Sequence, residues 1–206
     1  MLKKKKSTRK EQALETKKKI YETAKSLFRK HGFDKVTVDT IVETAGVSKG
    51  SFYVYFKSKD ALITNLIADT VDRVDLDYKS YVESFPVGTP ISDIIISLVE
   101  KIAYVITDIV GYDAMKIIYE VQITKTVNTN ALLSYDRVIY KLFNELITLG
   151  VQHGEFQNVI APETIAKHFI IALRGLTYEW CIRYPDFDLK VQFLEHSNIL
   201  LHGIRR

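Results

Sequence analysis

The chain reads as all-α, and three observations lead there. Glycine and proline are scarce, at 9 and 4 of 206 residues. They fall between long segments whose apolar residues recur with helical period. Alternating runs of β-branched residues between turn pairs are absent. The pattern predicts about nine helices and no sheet.

The first helix is expected over about 11–31, with Ile20, Ala24, Leu27 and Phe28 on one stripe and most lysines off it. Gly32 supplies a left-handed stop, and Phe33 folds back as its hydrophobic contact. Thr37 is an N-cap, and Val36 with Ile41 forms a hydrophobic staple around it. The second helix covers about 38–44, and Gly46 permits a sharp turn. Ser48 caps a third helix running to about Tyr55. Ser58 caps the fourth, which reaches about Tyr78, with Asp60 favourably placed near its N-terminal dipole. The segment Phe85-Pro86-Val87-Gly88-Thr89-Pro90 is the clearest break. Further helices are expected at about 91–110, 112–126, 131–152, 162–184 and 188–203.

Residues 36–59 have the makings of a helix-turn-helix. Gly46 sits at the turn. Ile41, Val42, Val47 and Phe52 lock the helices together, and Lys49, Ser51, Tyr53 and Tyr55 decorate the second helix. Tyr53 and Tyr55 are two apart on one helix and cannot share a face, so at least one points outward. Phe56 reads as core.

AGVSKGSFYVYFKSKDAL resembles the signature of the tetracycline-repressor (TetR) family, commonly AGVSKGTLYxYFxSKExL, and the preceding IYETAKSLFRKHGFDKVTVDTI is similar to that family's first helix and the start of its second. The resemblance covers about 50 residues and is more specific than a generic helix-turn-helix. ALRGLTYEWCIRYPDFDL, followed by LLHGI, more loosely resembles the C-terminal dimerisation helices of many members. The resemblance implies that Thr37 holds a phosphate and that Lys49, Gly50 and Ser51 face the major groove, with Ser48 capping the reading helix beside them. It further implies that Tyr53 and Tyr55 clamp backbone phosphates and that Lys59 pins another. Three positions depart from the pattern. Val42 replaces a usual alanine, Phe52 a leucine, and Asp39 stands where some members carry a base-reading cation. A carboxylate there accepts from a cytosine amino group or faces solvent.

Charge divides the chain in the same place. Residues 1–60 hold 16 Lys+Arg against 7 Asp+Glu, a balance of +9, whereas residues 61–206 hold 13 against 18, a balance of −5. A basic head on an acidic body suits a polyanionic partner, although the Lys3–Lys6 run by itself reads equally as a solubilising tail. The expected organisation is a DNA-binding head with a basic arm over 1–58 and an effector-binding and dimerisation body over 59–206.

In the body, the segment Ile165–Tyr184 is apolar well beyond one stripe, with Ile165, Phe169, Ala172, Leu173, Leu176 and Trp180 on one side. Such a helix sits deep inside or packs on two partners. With the last helix it predicts a four-helix homodimer interface, which a palindromic operator requires. Twelve tyrosines are many for this length. Tyr104, Met115, Tyr119, Phe143, Phe169, Leu173, Tyr178 and Trp180 are the candidates for lining a cavity that takes a small-molecule effector, although each also reads as plain core.

Other classes find less support. The five histidines form no HxxxH pair, so neither a metal nor another cofactor is expected. Cys181 reads as a small buried hydrophobe, and a lone cysteine suits the cytoplasm. Phosphate-cradling loops and nucleophile elbows are missing, which disfavours an enzyme. No apolar run approaches the roughly 18 residues that cross a bilayer, and the basic start lacks the apolar stretch of a secretory signal. The expectation is a cytoplasmic, DNA-binding transcriptional regulator, a repressor released by an apolar or aromatic ligand. The rival is a nucleoid or cell-cycle factor whose body binds a protein.

Overall fold

The computed structural model describes residues 9–206, so Lys3–Lys6 lies outside the described residues. Among those described, the architecture is all-α with one isolated bridge, Phe156 to Arg205.

Caps and left-handed glycines set the first boundaries. α1 (Arg9–His31) buries Ile20, Ala24 and Phe28 and stops at Gly32, at φ 81°. The Phe33 ring then returns to lie 5.4 Å from that of Phe28. α2 (Val38–Ala45) starts where the Thr37 hydroxyl accepts from Thr40 N–H, and it ends at Gly46 in the left-handed region. α3 (Lys49–Tyr55) starts where the Ser48 hydroxyl accepts from Ser51 N–H at 3.1 Å. The Ser58 hydroxyl accepts from Ala61 N–H at the head of α4 (Lys59–Glu83). α4 runs past the expected Tyr78 because no breaker intervenes before the Phe85–Pro90 turn.

α5 (Ile91–Tyr104) widens into a π-helical stretch over Val105–Val110, which Gly111 closes by donating its N–H to Ile106 O. α6 (Tyr112–Thr124) ends two residues early, at Lys125, whose φ is 53°. The single helix expected over 131–152 is in fact two: one turn, α7 (Asn130–Leu133), and α8 (Val138–Gln152). The Ser134 hydroxyl accepts from Asp136 N–H at 3.0 Å. That local bond competes with helical pairing and explains the break. α9 (Pro162–Arg183) and α10 (Leu189–Ile204) complete the chain.

Two compact units form. One holds the described residues up to Ala68 together with Glu120–Thr129, and the other holds Asp69–Tyr119 with Asn130–Arg206. The division falls inside α4, and a short stretch of α6 and the following loop belongs to the first unit. In the second unit α10 packs on α5 and α8 on α9, around the fully buried rings of Phe143, Phe156, Phe169 and Phe193. Gly150 lets α8 meet Phe156, whose ring occupies the space a Cβ would take.

Candidate nucleic-acid interface

α3 is short because it has little to bury. Only Phe52 is fully enclosed, and the buried Phe56 ring just beyond the helix lies tilted against it at 5.7 Å. The rest of α3 faces outward, with Tyr53 half exposed, Val54 largely exposed and Tyr55 half-buried. Lys49 is paired with Asp39 of α2 across the Gly46 turn at 2.6 Å. The bonded carboxylate holds the Lys49 ammonium above the usual lysine range. Sequence reasoning gave Asp39 to DNA or solvent. The only hint of the pair was opposite charges in the first turns of two adjacent helices.

Gly50 has no internal reason to be glycine. Its φ is unexceptional, and a Cβ there would meet nothing nearer than the Ser48 hydroxyl oxygen at 3.8 Å. Glycine inside a helix costs about 0.5–1 kcal/mol against alanine. The packing around Gly50 does not recover that cost. The hydroxyls of Thr37 and Ser48 are committed to caps, and each also lies 2.9 Å from a second hydroxyl, that of Thr40 and Ser51 respectively.

Lys59 is more constrained than its expected phosphate role suggests. Its ammonium donates to the Phe33 carbonyl at 2.9 Å and lies 4.1 Å from the Phe33 ring centre. One of its three donors is therefore committed to tying α4 to the α1–α2 turn.

In the second unit the eight cavity candidates separate. Phe143, Phe169, Leu173 and Trp180 are buried core, and Phe143 stacks on Phe169 at 5.4 Å. Met115 is half-buried against that core. The Tyr119 hydroxyl donates to Arg174 O at 2.8 Å, and burial pushes its phenol far up. Tyr104 and Tyr178, at 48% and 42% exposure, stand on the surface instead. A cleft of about 650 Å³ lies elsewhere, lined by the Pro86–Ser92 turn, His153, Glu155, Arg205 and Arg206, and none of the eight borders it. Cys181 is half-buried and burial pushes its thiol up to about 11, which suits an inert side chain.

Sequence reasoning also missed a polar cluster. The buried Asp75 of α4 receives Arg137 through two bonds, Nε at 3.1 Å and Nη2 at 2.6 Å. Arg137 and Arg174 both donate to the Leu132 carbonyl, at 3.3 and 2.7 Å. Asp75 and Arg137 lie 62 positions apart, so no local pattern announces them.

A basic, glycine-bearing reading helix set on a compact helical head defines a helix-turn-helix DNA-binding regulator. Residues 20–66 match the family described as bacterial regulatory proteins, tetR family. The chain is 29% identical over 153 residues, 73% of each chain, to the uncharacterized HTH-type transcriptional regulator YfiR of Bacillus subtilis (strain 168). It is 26% identical over 207 residues to the HTH-type transcriptional regulator AcrR of Shigella flexneri, covering 93% of this chain and 90% of that one. Among solved structures, Thermus thermophilus FadR, a TetR-family transcriptional repressor in complex with lauroyl-CoA, superposes with a TM-score of 0.66 at 18% identity, over 91% and 94% of the two chains. Over residues 20–66 the chain thus carries a head of the tetR type, and its relatives are HTH-type transcriptional regulators. Among the described residues no helix is long and apolar enough to cross a membrane.

Proposed function

We propose that the protein is a cytoplasmic, homodimeric, one-component repressor that binds a palindromic operator through α3 and leaves it when a small molecule occupies the second unit. Gly50 carries the reading. A helix glycine with no packing cause, flanked by Lys49 and Ser51, fits a backbone laid close against a DNA groove. Lys49 and Ser51 reach base edges, Tyr53 and Tyr55 brace phosphates, and Thr37, Ser48 and Lys59 add phosphate contacts next to the caps and strut they already form. The FadR of Thermus holds lauroyl-CoA in the same fold, which supports a ligand-bearing body here.

The ligand acts by binding better to the form whose heads are wrongly spaced, and that difference in affinity limits the shift it produces. The chain passes between the units at three points: Ala68–Asp69 within α4, and the two ends of the Glu120–Thr129 segment. A gel shift on the fragment upstream of the protein's own gene tests the reading. We expect a salt-sensitive complex that an effector dissolves. Indifference to duplex DNA at low salt overturns it. A complex dissolved by a protein partner and by no small molecule would favour a nucleoid or cell-cycle role.

A further inference from the structure

The Asp75–Arg137–Arg174 cluster is an unbalanced one. Two guanidiniums converge on the carbonyl of Leu132, and a single carboxylate, Asp75, neutralises only Arg137. Among the described residues Arg174 has no carboxylate partner. Its guanidinium carbon also lies 5.6 Å from the centre of the Tyr140 ring. The Tyr140 hydroxyl is enclosed and makes no well-formed hydrogen bond, with Tyr135 within its electrostatic reach, and the residue is only 5% exposed. The Tyr135 ring packs edge-on to Tyr140 at 4.7 Å. A buried donor left unpaired is costly. An excess guanidinium beside it makes an acceptor with negative charge the group that the cluster lacks.

We propose that this cluster is the seat of a carboxylate-bearing effector with an apolar body. The carboxylate accepts from the Tyr140 hydroxyl, pairs with Arg174, and displaces the Leu132 carbonyl. A neutral peptide oxygen holds that position in the ligand-free form. The displaced element is cheap to move: α7 is a single turn, and a single turn has little stability of its own. The apolar body follows from what lies next along the same two helices. Phe143 is one turn beyond Tyr140 on α8 and stacks on Phe169, and Leu173 precedes Arg174 on α9. The seat also suggests how occupancy is reported. Leu132 sits three residues after Thr129, where the chain leaves the first unit, so releasing α7 loosens a segment covalently continuous with the head. This assignment rests on the ligand-responsive reading above.

The test is thermal unfolding of the full chain with two matched pairs of probes, dodecanoate against dodecanol and 4-phenylbutyrate against 4-phenylbutanol, read beside operator binding. At least one carboxylate should raise Tm and release operator while its alcohol does not. Tyr140→Phe removes the hydroxyl and keeps the ring, so the ligand-free Tm should hold or rise. Carboxylate affinity should fall about tenfold, as expected for one lost charge-assisted hydrogen bond. Arg174→Gln keeps a donor for Leu132 and should erase the preference for acid over alcohol. A merely structural Tyr140 would instead lower the ligand-free Tm. The proposal is overturned if neither carboxylate shifts Tm, if alcohols match acids, or if both variants bind the acids as the parent does. Release of operator by neutral compounds alone would sink this seat and leave the ligand-responsive reading standing, whereas release by no compound would sink both.

Discussion

At Gly50 the chain gives up helix stability that nothing inside it recovers. Gly50→Ala should therefore raise the unfolding free energy by about 0.5–1 kcal/mol while weakening operator binding. Chemical denaturation and a binding titration measure the two. If stability rises with affinity unchanged, the backbone does not approach DNA there. Lys59 poses the opposite problem, because the same ammonium can brace the fold and meet a phosphate. Lys59→Ala should lower stability by about 1 kcal/mol through the lost bond to Phe33. It should also reduce the slope of log affinity against log salt by about one phosphate's worth. A stability loss with an unaltered slope would make Lys59 a strut alone. The motif residues were legible because caps, turn glycines and a family signature are local. The Asp39–Lys49 and Lys59–Phe33 contacts were not, since they join positions that only the folded head brings together.

Single helices show the same divide between local and distant causes. The starts of α2, α3 and α4 could be read from Thr37, Ser48 and Ser58, each a hydroxyl accepting from its own first turn. The start of α5 could not. Pro90 offers no side-chain cap, and Glu155 serves in its place, accepting from Ile91 N–H and Ser92 N–H at 2.8 Å each. Sixty-odd residues separate the carboxylate from the helix it caps, so no capping box appears in the sequence. Burial alone would raise the Glu155 carboxyl, but the bonds from Ser92 and Ile91 outweigh it, and the group lies below the ordinary glutamate range. A depressed carboxylate stabilises fully above its unfolded value, near pH 4.5, and the contribution disappears as pH falls through the folded value. Glu155→Gln should thus cost stability at pH 7 and flatten the decline of Tm between neutral and acid pH. Parallel declines in the two proteins would show that the cap does not depend on charge. The missed break between α7 and α8 is of the same kind, since apolar periodicity ran straight through a Ser134 turn.

For the whole molecule, the sequence showed that α9 carries too much apolar surface but not which stripe is spare. Of the two places open to the Ile165, Phe169, Leu173 and Trp180 stripe, deep inside or against partners, the chain's own core holds it. The outward stripe is Ile171, Gly175, Tyr178 and Ile182, spaced i, i+4, i+7, i+11, with Ile171 and Ile182 at 52% and 60% exposure. On α10, Val191 and Ile199 are exposed as well. A Cβ on Gly175 would meet nothing, so a neighbouring helix has room to come close. An exposed apolar stripe along one helix suits an association site, and two reading helices on a two-fold axis are what a palindrome needs. Ile182→Glu should therefore leave the monomer folded, since the residue is already 60% exposed, yet shift sedimentation to the single-chain mass. Because each head alone binds few base pairs, operator affinity should fall by orders of magnitude while weak non-specific binding persists. A variant that remains dimeric and binds normally would place the two-fold axis on some other surface, and the Ile171–Ile182 stripe would then have to meet a different partner.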